Sequence, residues 1–210
     1  IALDALRGFF TGSIIWADKY MLFLVTGGEI NVVAIYLSLI PCVIAYNYFF
    51  VVEADRVNAS IQHLWTIFDR LPYKGVQEES SKALRTSNHA IRNSLLIYIA
   101  SAIVTGILMF IFLPQSYPLA LSGLVVAFLF VAVALLIYQI EYMTMYVTVQ
   151  LLSAAHLVLL FISFMILPNE TGYLPIIAGE AVLAFACYRV YRQAWAAPEY
   201  SLFWRRALAW

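Results

Sequence analysis

The sequence predicts an all-α polytopic membrane protein, with six transmembrane helices forming one bundle. Three observations predict it. Six stretches of the 210-residue chain are apolar over a length near the roughly 20 residues that a bilayer requires. Hydrophobic residues make up 64% of the chain and charged ones only 11%, against about 25% charged in a soluble domain. Nearly all the Lys and Arg fall on one side of the six stretches. A water-soluble fold would leave too little polar sequence to cover such helices. The formal net charge of zero argues against nucleic acid as a partner.

The predicted spans run over 9–26, 30–52, 94–114, 119–140, 143–167 and 173–191. In the second, Pro41 removes a backbone donor and is expected to kink the helix. The fourth and fifth form a hairpin with a tight turn near Glu141. Cys42 and Cys187 lie inside spans, far apart in sequence, and read as small buried apolar side chains.

The connections set the orientation by the positive-inside rule. Arg7 precedes the first span. Arg56, Arg70, Lys74, Lys82, Arg85 and Arg92 lie between the second and third, and Arg189, Arg192, Arg205 and Arg206 lie at or beyond the end of the sixth. The loops 27–29, 115–118 and 168–172 carry no positive charge. Both ends of the chain are therefore expected on the cytoplasmic side. The chain opens Ile-Ala-Leu-Asp with no basic leader and reads as a cut from a longer protein.

The long connection 53–93 is the only polar block, read as a cytoplasmic helical hairpin with its break at LPYKG, 71–75. In its first arm Val57, Ile61, Leu64, Trp65 and Phe68 recur at helical spacing, and that arm is expected to lie partly in the membrane interface. Trp65, Tyr73 and the basic residues suit contact with membrane lipids.

Ionisable groups in hydrocarbon are costly and call for an explanation. Asp18 and Lys19 lie mid-way along the first span. As helix neighbours they point about 100° apart, so at least one is expected to find a partner elsewhere. Both could stand on a polar cavity wall, or Lys19 could pair with Glu180 to lock the bundle. Glu180, inside the sixth span, stays charged if paired with Lys19 or His156 and is otherwise a candidate proton-coupling group. His156 reads as a hydrogen-bonded packing residue, and Gln150 and Asn47 as cross-helix hydrogen-bonding groups. No phosphate-binding glycine loop, metal-ligand spacing or Ser-His-Asp set occurs. No metal, cofactor or catalytic residue is therefore expected, and the chain does not read as an enzyme.

Two segments carry a resemblance. From Gly12 the first span reads GSIIWADKYMLF, and from Tyr36 the second reads YLSLIPCVIAYNYFFVVEADR. These resemble the PelG family, the polytopic inner-membrane components of Pel exopolysaccharide export, which carry a similar Ile-Trp-Ala-Asp-Lys-aromatic run followed by a Leu-x-x-Ile-Pro segment. Tyr20 stands where that family usually has Trp. The resemblance spans about 12–203 and is specific in the first two spans. It implies the C-terminal half of a protein about twice as long, similar to the multidrug/oligosaccharidyl-lipid/polysaccharide flippase superfamily, with two six-helix bundles around a central cavity. It implies movement of an N-acetylhexosamine-rich polysaccharide across the bacterial inner membrane. The implied partners are a cytoplasmic glycosyltransferase and other membrane proteins of the Pel complex. Only Trp16, Ala17, Asp18 and Lys19 carry over by position.

A sugar polymer needs hydrogen-bonding groups and aromatic faces along its path. Trp16, Asp18, Lys19, Tyr20, Tyr46 and Asn47 offer them. Two other functions fit the same spans: a membrane scaffold that recruits the polysaccharide synthase through 53–93, and a proton-coupled exporter of a small or lipid-linked substrate.

Overall fold

The computed structural model describes residues 2–27, 31–68, 70–167 and 173–208, and every regular element among them is a helix. In chain order these are α1 (Ala2–Ser13), α2 (Ala17–Thr26), α3 (Val32–Tyr48), α4 (Ala54–Ile67), α5 (Tyr73–Phe112), α6 (Tyr117–Tyr142), α7 (Tyr146–Ile166), α8 (Tyr173–Ala194) and α9 (Pro198–Leu208). Most of the expected outer loops 27–29 and 168–172, and the side chains of Arg7, Arg205 and Arg206, lie outside the described residues.

Among the described residues, five stretches are long and apolar enough to cross a membrane: Val32–Ile67, Tyr73–Phe112, Pro114–Tyr142, Tyr146–Ile166 and Tyr173–Ala194. The first expected span, 9–26, is divided between α1 and α2, each shorter than a bilayer requires. The local sequence accounts for the break. Thr11 and Ser13 turn their hydroxyls back on the carbonyls of Gly8 and Phe9, a contact that bends helices. Gly8 and Gly12 are poor helix formers. The chain then passes Ile14–Trp16 in tight turns, with Trp16 N–H donating to the Ser13 carbonyl at 3.1 Å.

α6 is the central helix. It is apolar on all sides over most of its length and packs against α3, α5, α7 and α8, as a helix without a polar face must. At its crossing with α3, a Cβ placed on Gly123 would stand 2.6 Å from Ser38 Oγ and 3.1 Å from Ser38 Cβ, so a larger residue would force Ser38 to shift. The outer faces of α5, α7 and α8 stay apolar: Ile103, Ile107, Phe161, Ile162, Val182 and Phe185 are all exposed. A continuous apolar exterior of this kind belongs in lipid.

α3 runs unbroken through buried Pro41, and its regular pitch is lost eight residues later in a π-helical turn, Phe49–Glu53, that leads into α4. Glu53 is buried there. Its Oε1 accepts from Tyr48 OH at 2.9 Å and from Asn93 Nδ2 at 3.0 Å, fixing the turn to α5. α5 joins the second arm of the hairpin and the third span in one 40-residue helix that begins right after Pro72. Gly75, expected in the break, lies inside α5.

The first arm lays its apolar stripe against another helix of the same chain. Val57, Ile61 and Leu64, the stripe assigned to the interface, are buried in the protein core as α4 packs on α5. An amphipathic stripe identifies a face that must be covered and is silent on whether lipid or a helix covers it. α6 and α7 form the expected tight hairpin, turning through Met143, Thr144 and Met145, with Thr144 at φ 56°.

Candidate functional site

Three helices, α2, α7 and α8, bring polar groups together inside the bundle, around an aromatic ring of α6. Asp18 and Lys19 sit in the first turn of α2, just past the break. Although they are helix neighbours, Lys19 Nζ lies 2.8 Å from Asp18 Oδ1. The lysine stem curls back toward the interrupted turn, where Nζ also donates to the Ile15 carbonyl at 3.2 Å. The break thus supplies an acceptor that a continuous helix would have used internally. Asp18 is buried, and its Oδ2 accepts from Tyr173 OH of α8 at 3.2 Å. A carboxylate at the N-terminal turn of a helix also meets the favourable end of the helix dipole.

A second pair lies deeper. His156 of α7 and Glu180 of α8 are both fully buried, with Nδ1 and Oε1 2.7 Å apart. The alternative pairing of Glu180 with Lys19 does not form. Phe130 of α6 links the two pairs. Lys19 Nζ lies 5.6 Å from its ring centroid, and the His156 ring meets it edge-on at 4.9 Å. A cation over an aromatic face gains about 0.5–2 kcal/mol, which helps to hold a lysine that is only 10% exposed. Ser153 Oγ, His156 Nε2 and Glu180 Oε2 are buried without a hydrogen-bond partner among the described residues.

The other path residues named from the sequence do not join this cluster. Trp16 and Tyr20 are exposed and line an apolar groove of about 770 Å³ between α1, α2 and α7, with Leu157 and Phe161 opposite. Asn47, expected to bond across helices, is exposed on α3 and makes no hydrogen bond among the described residues. Tyr46 is half-buried and stacks on Phe50, whose ring in turn meets Tyr138. Gln150 is half-buried on α7. Asp18, Lys19, His156 and Glu180 therefore form one interior group, while Trp16, Tyr20 and Asn47 face outward.

Sequence reasoning missed Tyr173 and Phe130. A tyrosine at the start of a span reads as an interface anchor, and a phenylalanine in an apolar run carries no signal at all. It also missed a polar layer toward the α4–α5 hairpin. There Ser87 Oγ donates to Gln139 Oε1 at 2.8 Å and lies 2.9 Å from Tyr191 OH, and Trp195 Nε1 donates to the Gln139 carbonyl at 3.0 Å. Gln139, a polar residue near the end of an apolar run, was the available clue.

The arrangement defines a class: a membrane-embedded, all-helical protein with pairs of ionisable side chains enclosed between its helices. No known protein family, curated protein or solved structure matches the chain.

Proposed function

We propose that this chain is one bundle of an exopolysaccharide translocator of the bacterial inner membrane. In this reading α1 and α2 together make one interrupted crossing, giving six in all, with both ends and the α4–α5 hairpin in the cytoplasm. A second bundle, in the remainder of a longer protein, completes the path for an N-acetylhexosamine-rich polymer. A cytoplasmic glycosyltransferase and other membrane proteins of the Pel complex are its partners. The chain moves the polymer and does no covalent chemistry on it.

The observation that carries this reading is the interrupted helix that buries Asp18 and Lys19. Static bundles rarely keep charge in hydrocarbon, whereas discontinuous helices with charged residues at the break build the sites of many transporters. The resemblance of 12–23 and 36–56 to the PelG family, and the alternation of loops rich in Lys and Arg with loops that carry neither, support the same reading. The outward aromatics Trp16 and Tyr20 and the exposed Asn47 suit a face turned to the second bundle.

The test is secretion from the full-length protein. Asp18→Ala and Lys19→Ala are each expected to lower exported polymer at least tenfold at unchanged protein level. Normal secretion from both variants would remove these residues from the mechanism.

A further inference from the structure

α5 extends well beyond the part of it that lipid can cover. Its uninterrupted apolar run begins at Ser94, and Val76 lies 18 residues earlier on the same helix. At 1.5 Å per residue this is about 27 Å along the axis. α4 gives a similar figure. Its base is tied to α5 by the Glu53–Asn93 hydrogen bond, and Phe68, 15 residues on, stands about 22 Å farther out. Even a helix tilted by about 40° would hold the tip about 20 Å from the hydrocarbon. The headgroup layer is only about 5–8 Å thick on each side, so the tip stands clear of the lipid.

That tip carries aromatic surface. α9 packs against α5, and Phe68, Leu71, Tyr73, Tyr200, Phe203 and Trp204 line a groove of about 370 Å³ between them. Leu71, Tyr73, Tyr200, Phe203 and Trp204 are all exposed. At the membrane surface such a belt would be an anchor. At this height in water it is an uncovered apolar patch, and patches of that kind mark partner surfaces. One polar group shares the groove. Glu199 lines it and is buried, and its Oε2 has no hydrogen-bond partner among the described residues. Arg70 and Lys74 stand exposed beside Leu71 and Tyr73, and neither makes an ion pair with Glu199.

We infer that this groove docks a segment of a water-soluble protein or domain that presents aliphatic side chains and one Lys or Arg directed at Glu199. The aromatic walls supply contact area, and the carboxylate supplies the choice. A neutral apolar segment leaves Glu199 unpaired, while a basic one completes it. The inference rests on the membrane placement of α5 in the proposed function, and not on which substrate is moved.

The test uses the full chain in nanodiscs of neutral lipid and two fluorescent peptides. One is a leucine-faced peptide with a single central Arg, and its twin carries norleucine at that position. The Arg peptide is expected to bind at least tenfold more tightly. Glu199→Gln should erase that difference, and Phe203→Ala or Trp204→Ala should weaken both peptides. A spin label at Tyr200 should report water and not lipid. Equal binding of the two peptides, no binding, or a difference that survives Glu199→Gln would overturn the proposal. So would concentration-dependent self-association blocked by Phe203→Ala, which would assign the groove to a second copy. A Tyr200 label immersed in lipid would overturn the placement of α5 itself. Loss of polymer export in the Asp18 and Lys19 variants is a separate readout that none of these results would alter.

Discussion

His156 and Glu180 meet at 2.7 Å in a part of the bundle where neither side chain has any exposure. They come from consecutive helices, α7 and α8, and they approach behind Phe130, whose ring also carries Lys19. The pair is thus coupled through one aromatic ring to the charged turn at the start of α2. Removing either partner strands a polar group in a low-dielectric interior, which is the costly case. Replacing both leaves nothing to satisfy.

That asymmetry gives a stability prediction. Glu180→Ala and His156→Ala are each expected to destabilise the bundle by about 3–5 kcal/mol. The double variant His156→Leu/Glu180→Met should recover most of that loss. Denaturant unfolding in detergent measures all three. If the double variant is as unstable as the singles, the pair contributes through more than mutual satisfaction. Secretion assayed alongside stability separates roles: a recovered fold with lost export assigns the pair to transport.

The α3–α6 crossing depends on a missing side chain. Gly123→Ala would drive a methyl group against Ser38, forcing its hydroxyl off the Ile35 carbonyl that it now bonds at 2.7 Å. A loss of about 1–3 kcal/mol is expected, visible as a lower unfolding temperature in detergent. Adding Ser38→Gly to it should restore part of the loss, because the two atoms that collide belong to these residues.

The α6–α7 turn stores strain. Thr144 adopts φ 56°, a left-handed conformation that is unfavourable for a β-branched residue. Its N–H donates to the Glu141 carbonyl at 2.7 Å, a bond that a glycine would keep. Thr144→Gly is expected to stabilise the protein by about 1 kcal/mol. A variant less stable than the parent would show that the threonine side chain contributes more than its backbone costs.

Much of the helical layout could be read from the chain, because apolar length and turn residues act locally. The stretches around α5, α6, α7 and α8 announce themselves by length, and the tight α6–α7 turn by the short gap at Glu141. The π-helical turn at Phe49–Glu53 did not, since it depends on Glu53 reaching Asn93, 40 residues away. The break after Ser13 was hidden for a different reason: hydropathy averages over Ile14 and Ile15 and cannot register a local loss of helical pitch. The short contact between Asp18 and Lys19 was equally hidden, because it needs the lysine stem to curl back toward the carbonyl that the break leaves open. The stripe on α4 was visible, yet its partner was not, because the small residues Ala83 and Ala90 that lie buried on the covering arm of α5 are too few to announce an apolar face. Asp18, Lys19, His156 and Glu180 could be singled out by their cost in hydrocarbon. Phe130 and Tyr173, which organise them, cost nothing there and left no mark.

The account turns on α5 crossing the bilayer with the hairpin tip inside the cell. Single cysteines at Tyr73, the first residue of α5, and at Gln115, in the turn just past its other end, both exposed, test it in a background with Cys42 and Cys187 replaced. An impermeant maleimide applied to spheroplasts should label the Gln115 position at once and the Tyr73 position only after permeabilisation. Labelling of both positions from the same side would mean that α5 does not cross. Labelling of Tyr73 from outside would reverse the orientation on which the cytoplasmic partner depends.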